Sequence, residues 1–215
     1  MISFFQSKKK VLLPDWLEEY LALDFRSKSP IDSVTFVVLD CETTGLQKTD
    51  HILTIGAVKC TTSEILIQDP LDQLYPRPVT GRSSEIHGQL GETKDCQTDV
   101  LTKELIGFVS NSMIIGHNIS FDIGMINKLL KENYNVKLKN RVIDTAQLAI
   151  RLDTSKYENS VGGKSNLHLD DLCNELQIKI ENRHTALGDA YLTAQVFQKL
   201  IAKLKARGIK NTTEL

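Results

Sequence analysis

The sequence predicts an α/β domain built on a mixed β-sheet. Residues 34–40 form an apolar, β-branched run, which is typical of a strand buried on both faces. Two more strand-like runs follow after short turns, and from about residue 98 helices alternate with short strands. Antiparallel strands followed by alternating helices and strands indicate a layered α/β fold with a mixed sheet.

An N-terminal helical extension is expected over residues 1–30. Pro14 suits the first turn of a helix, and apolar residues recur at helical spacing from Leu13 to Leu21. A polar stretch at residues 26–30 then separates this helix from the domain. The helix is expected either to dock on the domain or to bind a partner.

The main domain is expected over residues 31–207, followed by a short C-terminal tail at residues 208–215. Strands are predicted at residues 34–40, 52–60, 64–67, 113–116 and 142–144. Helices are predicted at residues 98–109, 120–132, just after 144, 169–176 and 187–206. Irregular chain is expected after the third strand, where three prolines occur: Pro70, Pro76 and Pro78.

Composition limits the possible function classes. With 26 basic and 27 acidic residues the formal net charge is -1, so no overall basic excess favours binding to nucleic acid. The four cysteines are too far apart for a zinc or CxxC site, and they are expected to be reduced thiols. No apolar run approaches the roughly 18 residues of a membrane span, and no secretory signal opens the chain. A cytoplasmic location without membrane contact is expected.

An acidic pair closes the first predicted strand. Because side chains alternate faces along a strand, Asp40 and Glu42 point the same way while Cys41 points back. Two carboxylates aimed at one small volume repel each other, unless one keeps its proton or a hard cation lies between them. Solvated acids at a strand end are the plainer interpretation of such a pair in isolation.

Two later motifs place polar groups at the starts of helices. In the segment at 116–122, Ser120 is expected to cap a helix whose first turn contains Asp122, where an acid also offsets the helix dipole. Five residues at 100° each would separate His184 from Asp189 by about 140° in a regular helix. They share a site only if His184 lies in the preceding loop, from which it can act as a base near neutral pH. An exposed histidine before a capping acid is the plainer alternative.

Taken in order, the three motifs resemble the DEDDh (DnaQ-like) group of 3′-to-5′ exonucleases. This group includes the proofreading epsilon subunit of bacterial DNA polymerase III and ribonuclease T, and the resemblance covers residues 34–203. It implies a ribonuclease H-like mixed sheet, with three antiparallel strands plus two parallel ones, flanked by helices. Thr54 and Gly188 depart from residues common in the group. The five defining positions are filled by Asp40, Glu42, Asp122, His184 and Asp189.

The resemblance also implies two divalent metal ions, Mg²⁺ or Mn²⁺. Two ions clamp the phosphate in line between the attacking and leaving oxygens. By the same resemblance Asp40 bridges both ions, and His184 is the general base toward the attacking water. The expected metal ligands are Asp40, Glu42, Asp122 and Asp189.

Contacts to a nucleic-acid end are expected around the same strand end. The resemblance implies that Leu46 wedges against the terminal base, and Phe121 either stacks on the same nucleotide or belongs to the core. A local excess of seven basic over four acidic residues in 131–164, with the loop at 153–165, is a candidate path for the incoming strand or a solvated face. The expected substrate-binding residues are Thr43, Thr44, Gly45, Leu46, His87, Asn118 and Phe121.

The expected function is a metal-dependent 3′-to-5′ exonuclease that releases nucleoside 5′-monophosphates from mainly single-stranded DNA, in proofreading or repair. One alternative is an RNA-trimming or oligoribonucleotide exonuclease of the same group. A second alternative is a module without activity that binds a polymerase or a nucleic-acid end. A DNA polymerase subunit is the expected protein partner, with the N-terminal helix as a candidate contact.

Overall fold

A computed structural model of the protein describes residues 12–47, 49–76, 90–153 and 167–215, with only the backbone described for 90–96. The sheet strands are β1 (Phe36–Thr43), β2 (Ile52–Cys60), β3 (Ile65–Leu74), β4 (Ile114–Gly116) and β5 (Val142–Asp144). Their spatial order is β3-β2-β1-β4-β5. The first three strands pair antiparallel, whereas β4 is parallel to β1 and β5 is parallel to β4. The predicted mixed sheet is therefore confirmed.

Helices cover both faces of this sheet. They are α1 (Asp15–Leu21), α2 (Leu90–Val109), α3 (Ser120–Tyr134), α4 (Thr145–Leu152), α5 (Leu169–Glu175) and α6 (Ala186–Ala206). Helix α2 begins earlier than the predicted residue 98. The prediction that Ser120 caps α3 is wrong, because the capping position is held by Ile119 and Ser120 is the first helical residue.

Strand β1 supplies both hydrophobic cores because its side chains alternate between the faces of the sheet. Phe36 and Val38 pack into the core that includes side chains of α4, α5 and α6. Val37 and Leu39 pack into the core that includes side chains of α1, α2 and α3. These four side chains are buried, as the apolar run predicted. The chain leaves the cores at the carboxyl end of β1, where the acidic pair begins.

Strand β3 is longer than the predicted segment at 64–67. It continues through Pro70 to Leu74, although the proline predicted irregular chain there. Because β3 lies at the edge of the described sheet and, among the described strands, pairs with β2 alone, the missing N–H of Pro70 need not cost a ladder hydrogen bond. Its register with β2 shifts between Ala57 and Lys59, so the extra residues are absorbed in an irregular stretch of the edge strand.

Helix α1 docks on the domain, which is one of its two predicted roles. Leu17 is fully buried. The Tyr20 hydroxyl donates to Asn140 Oδ1 at 2.6 Å and accepts from the backbone N–H of Lys139 at 2.8 Å. Trp16 also meets the Tyr134 ring edge-on, with 5.4 Å between ring centroids. One face of α1 is thus committed to contacts within the chain.

Leu17→Ala will destabilise the protein by about 2–5 kcal/mol, because it removes a fully buried side chain and leaves a cavity under α1. Urea unfolding monitored by circular dichroism measures this change. The matched control is Leu12→Ala, since Leu12 is 93% exposed. Equal midpoints for the two variants would contradict the docking of α1.

The segment at 208–215, predicted as a short tail, packs beside the residues that precede β1. The backbone N–H of Ile31 donates to Lys210 O at 2.9 Å, and that of Thr212 donates to Ser29 O at 3.0 Å. Arg141 donates from its guanidinium to the Thr212 carbonyl at 2.8 Å. These bonds fix the chain after α6 against the domain.

Three of the four cysteines, Cys41, Cys60 and Cys173, are free and buried, while the side chain of Cys96 lies outside the described residues. No helix among the described residues is both long enough and apolar enough to cross a membrane.

Candidate active site

Three carboxylates meet at the carboxyl end of β1. Oxygen atoms of Asp40, Glu42 and Asp189 all lie within 4.8 Å of one another. Asp40 and Glu42 share one face of β1, as their spacing predicted, and Asp189 stands in the first turn of α6. The cluster therefore joins two elements that are far apart in sequence.

Gly56 brings α6 close enough to complete this cluster. It is paired with Asp40 in the β1–β2 ladder. A Cβ at Gly56 would lie 2.1 Å from the backbone nitrogen of Leu187 and 2.3 Å from the carbonyl carbon of Ala186. No side chain fits there, so a glycine on β2 sets how closely the first turn of α6 approaches the sheet.

Gly56→Ala will destabilise the protein by about 1–3 kcal/mol, because its methyl group would collide with helix backbone that cannot move as a side chain can. The shift of α6 will also weaken binding of Mn²⁺, since it displaces Asp189. Gly107→Ala is the matched control, because nothing lies within 4 Å of a Cβ at that position. Thermal unfolding measures the loss of stability, and calorimetric titration measures the binding of Mn²⁺. A melting temperature and an Mn²⁺ affinity of Gly56→Ala equal to those of the wild type would contradict the close approach of α6 to β2.

The fourth predicted acid, Asp122, lies beside the cluster. It stands in the first turn of α3, is buried, and accepts a hydrogen bond through Oδ1 from the backbone N–H of Cys41 at 2.9 Å. This bond links α3 to β1 midway between Asp40 and Glu42. The group of three close oxygens does not include Asp122, but its negative charge acts on Asp40.

Burial and mutual repulsion make it costly to ionise these acids together. Burial, followed by the charges of Asp122, Asp189 and Glu42, raises the pKa of Asp40 from 3.8 to about 8. Burial raises the pKa of Asp122 from 3.8 to about 7, against the opposing effect of its backbone hydrogen bonds. Near neutral pH the site therefore either retains protons or requires a cation.

The donor set fits a hard divalent cation. Asp189 Oδ1 is buried and has no hydrogen-bond partner among the described residues. A buried carboxylate oxygen without a partner is costly unless something outside the protein binds it. Carboxylate oxygens are the ligands preferred by Mg²⁺ and Mn²⁺. We infer that the cluster accommodates such an ion.

His184 lies in the loop before α6, as sharing a site with Asp189 requires. Its φ of 62° is in the left-handed region, and its side chain is exposed. Thr185 caps α6 by accepting from the Gly188 N–H at 3.1 Å. A Cβ at Gly188 would lie 2.1 Å from the Asn182 carbonyl oxygen. The glycine, which departs from the residues common at this position in the exonuclease group, therefore permits the tight loop. His184 and Glu42 line one cleft of about 1010 Å³.

The turn after β1 is held by Asp50, which the sequence analysis did not single out. Asp50 accepts from the Thr44 hydroxyl at 2.8 Å and from the Gln47 N–H at 2.6 Å. The Thr43 hydroxyl donates to the Gly45 carbonyl at 2.7 Å. An Asp five residues after the Thr-Thr-Gly segment was the only available signal for this role.

Leu46 projects from this turn with 85% of its surface exposed. Leu46 and Phe121 line a second cleft, of about 860 Å³, whose wall also carries three lysines of α3 and the segment after it. The lysines are Lys128, Lys131 and Lys137. Two of them belong to the basic stretch singled out in the sequence.

Of the two other predicted substrate contacts, the structure describes only Asn118. Asn118 has a φ of 52° and donates through its side-chain amide to the Leu167 carbonyl at 3.2 Å. Its backbone N–H also donates to Asp144 at 3.0 Å. His87 lies outside the described residues, as does most of the predicted loop at 153–165.

Arg183 is the second residue that the sequence analysis missed. Its Nε donates to Asp170 Oδ1 at 2.5 Å, and its Nη1 donates to Asp189 Oδ2. Its positive charge also lowers the pKa of Asp40, against the larger effects that raise it. Its only signal in the sequence was a basic residue directly before His184.

Comparison with known proteins identifies relatives of this chain. The family model RNase_T, described as an exonuclease, matches residues 37–197. The chain is 34% identical over 191 residues to a DNA polymerase III PolC-type from Thermotoga petrophila, covering 87% of this chain and 13% of the relative. It is 32% identical over 195 residues to a DNA polymerase III subunit epsilon-like protein from Rhodobacter capsulatus, covering 85% of this chain and 26% of the relative. The chain thus spans a small part of the length of these relatives.

A solved structure shares the fold. The nuclease domain of 3′hExo, a DEDDh family member bound to rAMP, matches with a TM-score of 0.57 at 15% identity. The match covers 78% of this chain and 92% of that chain. Together with the strand order, it shows that the sheet is ribonuclease H-like.

Proposed function

We propose, on the premise that this chain belongs to the RNase_T family of exonucleases, that it is a metal-dependent 3′-to-5′ exonuclease acting on single-stranded DNA. The observation that carries the proposal is the oxygen cluster of Asp40, Glu42 and Asp189, with a buried Asp189 oxygen that has no partner among the described residues. Oxygen ligands of this kind suit the ions that phosphodiester hydrolysis requires.

Asp40, Glu42, Asp122 and Asp189 are the proposed ligands of two divalent ions, Mg²⁺ or Mn²⁺. When bound, such ions neutralise the phosphate charge and lower the pKa of the attacking water. The proximity of Asp122 to Asp40 and its effect on the Asp40 pKa support its inclusion. The charges of the other three acids all raise the pKa of Asp40, which supports Asp40 as the central member of this proposed ligand set.

His184 is the proposed general base. It removes a proton from the attacking water, whose oxygen forms the new bond to phosphorus while the bond from phosphorus to the 3′ oxygen of the preceding nucleotide breaks. The leaving 3′ oxygen takes up a proton from solvent, so the products are a nucleoside 5′-monophosphate and a strand shortened by one nucleotide with a free 3′ hydroxyl. The exposed loop position of His184, beside a cleft shared with Glu42, supports this role.

The strand end is proposed to lie against the turn after β1. Thr43, Thr44 and Gly45 would offer groups to the terminal nucleotide, and exposed Leu46 would wedge beside its base. Phe121 would stack in the adjoining cleft, whose lysines would meet the phosphates. Asn118 and His87 remain proposed contacts to the terminal sugar.

The names of the relatives favour DNA, whereas the rAMP bound to the DEDDh nuclease domain favours the RNA alternative. Matched DNA and RNA oligomers of one sequence, labelled at the 5′ end, separate these two substrates. We expect faster shortening of the single-stranded DNA in Mg²⁺ or Mn²⁺. Faster shortening of RNA would replace the DNA assignment with the RNA-trimming one, and absence of cleavage of both oligomers would favour a binding module.

A role in proofreading in the cytoplasm is proposed from the two DNA polymerase III relatives. A DNA polymerase subunit is then the proposed partner. A primer with a mismatched 3′ end should be shortened faster than a matched primer on the same template, because frayed ends supply the single strand. Equal rates on the two primers would contradict proofreading.

A further inference from the structure

Arg183 bridges two acids that belong to different helices. Asp170 stands in α5 and Asp189 in α6. The guanidinium donates a hydrogen bond from Nε to Asp170 and another from Nη1 to Asp189. The side chain of Asp189 is 8% exposed and that of Arg183 is 22% exposed, so the second pair is largely shielded from water. An ion pair that is shielded from water, with a planar guanidinium donating from two nitrogens, holds its carboxylate in place better than a surface ion pair does.

The bridge divides the two oxygens of Asp189 between different tasks. Oδ2 receives the bond from Arg183, and Oδ1 has no hydrogen-bond partner among the described residues. The carboxylate also contributes an oxygen to the cluster with Asp40 and Glu42. Holding Oδ2 therefore fixes the rotation of the carboxylate group and leaves Oδ1 available to an ion.

We propose that Arg183 is a positioning residue that orients the Asp189 carboxylate for metal binding, with Asp170 as its fixed anchor. This inference rests on the proposed metal-dependent function of the site. Outer groups that orient metal ligands typically change metal affinity by about 10- to 100-fold when they are removed.

The charge of Arg183 alone predicts the opposite effect. A cation near the cluster repels a divalent ion, so its removal would tighten metal binding if Arg183 acted only through charge. Weaker binding after neutralisation would therefore identify orientation as the larger effect. Arg183→Lys separates the two effects further, because a lysine keeps the charge but has no planar fork to span both carboxylates.

Calorimetric titration of the metal-free chain with Mn²⁺ tests the proposal. We expect Arg183→Gln to raise the Kd for Mn²⁺ by about tenfold or more, and Arg183→Lys to raise it as well. The matched control is Lys179→Gln, which removes one positive charge from the same segment but breaks only an ion pair whose side chains are 82% and 60% exposed. The control should bind Mn²⁺ as the wild type does.

Unchanged or tighter binding of Mn²⁺ by Arg183→Gln would overturn the proposal, and so would failure of both Arg183 variants to fold. Saturating Mn²⁺ should restore the kcat of Arg183→Gln to within a few-fold of wild type, and a persistent loss would indicate contact with substrate instead. If wild-type protein itself did not bind Mn²⁺, the proposed function would fail rather than the role of Arg183.

Discussion

Asp40→Asn will lower the exonuclease kcat by at least about a thousandfold. The charges of all the other acids of the site raise the pKa of Asp40, and Asp40 is a proposed metal ligand at the centre of the cluster. Charge stabilisation by bound metal is worth several kcal/mol, and about 4 kcal/mol corresponds to a thousandfold in rate. Single-turnover cleavage of a 5′-labelled oligonucleotide in Mn²⁺ measures this loss.

The fold should survive this substitution. Asparagine has nearly the same shape as aspartate, and it removes one negative charge from a site where charges repel. The metal-free variant should therefore be more stable than the wild type at pH 8. Asp69→Asn is the matched control, because Asp69 is exposed on the edge strand. Full activity of Asp40→Asn would show that the carboxylate cluster is not the catalytic centre.

Metal-free protein will lose stability as the pH rises from about 5 to about 8. The pKa values of Asp40 and Asp122 are raised from 3.8 to about 8 and about 7, so the folded state keeps protons that the unfolded chain has released. Wherever the folded state binds more protons, its stability falls with pH, by about 1.4 kcal/mol per unit for each such group. The two acids are coupled, so the total is on the order of 5 kcal/mol rather than the sum of separate contributions.

Urea unfolding in EDTA at several pH values between 5 and 8 measures this slope. Saturating Mg²⁺ should remove most of it, because an ion takes the place of the retained protons. Asp40→Asn should flatten the profile even without metal. A wild-type profile in EDTA that is flat over this range would contradict the raised pKa values that burial and mutual repulsion give Asp40 and Asp122.

The sheet was predictable because its signals are local. The apolar run before Asp40 predicted a strand buried on both faces, and the alternation of helices and strands after the first three strands predicted a mixed sheet. The length of β3 was not predictable, because Pro70 is tolerated only at a sheet edge. Whether a strand lies at an edge depends on the strand order, which only the folded structure fixes.

The acids of the site were predictable from their motifs, but the groups that hold them were not. Arg183, Asp50 and Gly56 act through contacts that the folded loops and the packing of α6 create, and their types are common outside such sites. Asp189 contacts Arg183 across a loop, and Gly56 matters because α6 packs on β2. Such contacts follow from packing between elements, which a sequence pattern does not contain.

The proposed function requires that the carboxylates of Asp40, Glu42, Asp122 and Asp189 bind divalent ions and direct hydrolysis from a 3′ end. The most direct test compares one single-stranded DNA oligomer labelled at the 5′ end with the same oligomer labelled at the 3′ end, with Mn²⁺ and with EDTA. With Mn²⁺ the 5′-labelled strand should give a ladder that shortens by one nucleotide at a time. The 3′ label should appear at once as a nucleoside 5′-monophosphate, and EDTA should stop both reactions. Early release of a 5′-terminal nucleotide, or equal cleavage in EDTA, would contradict the account.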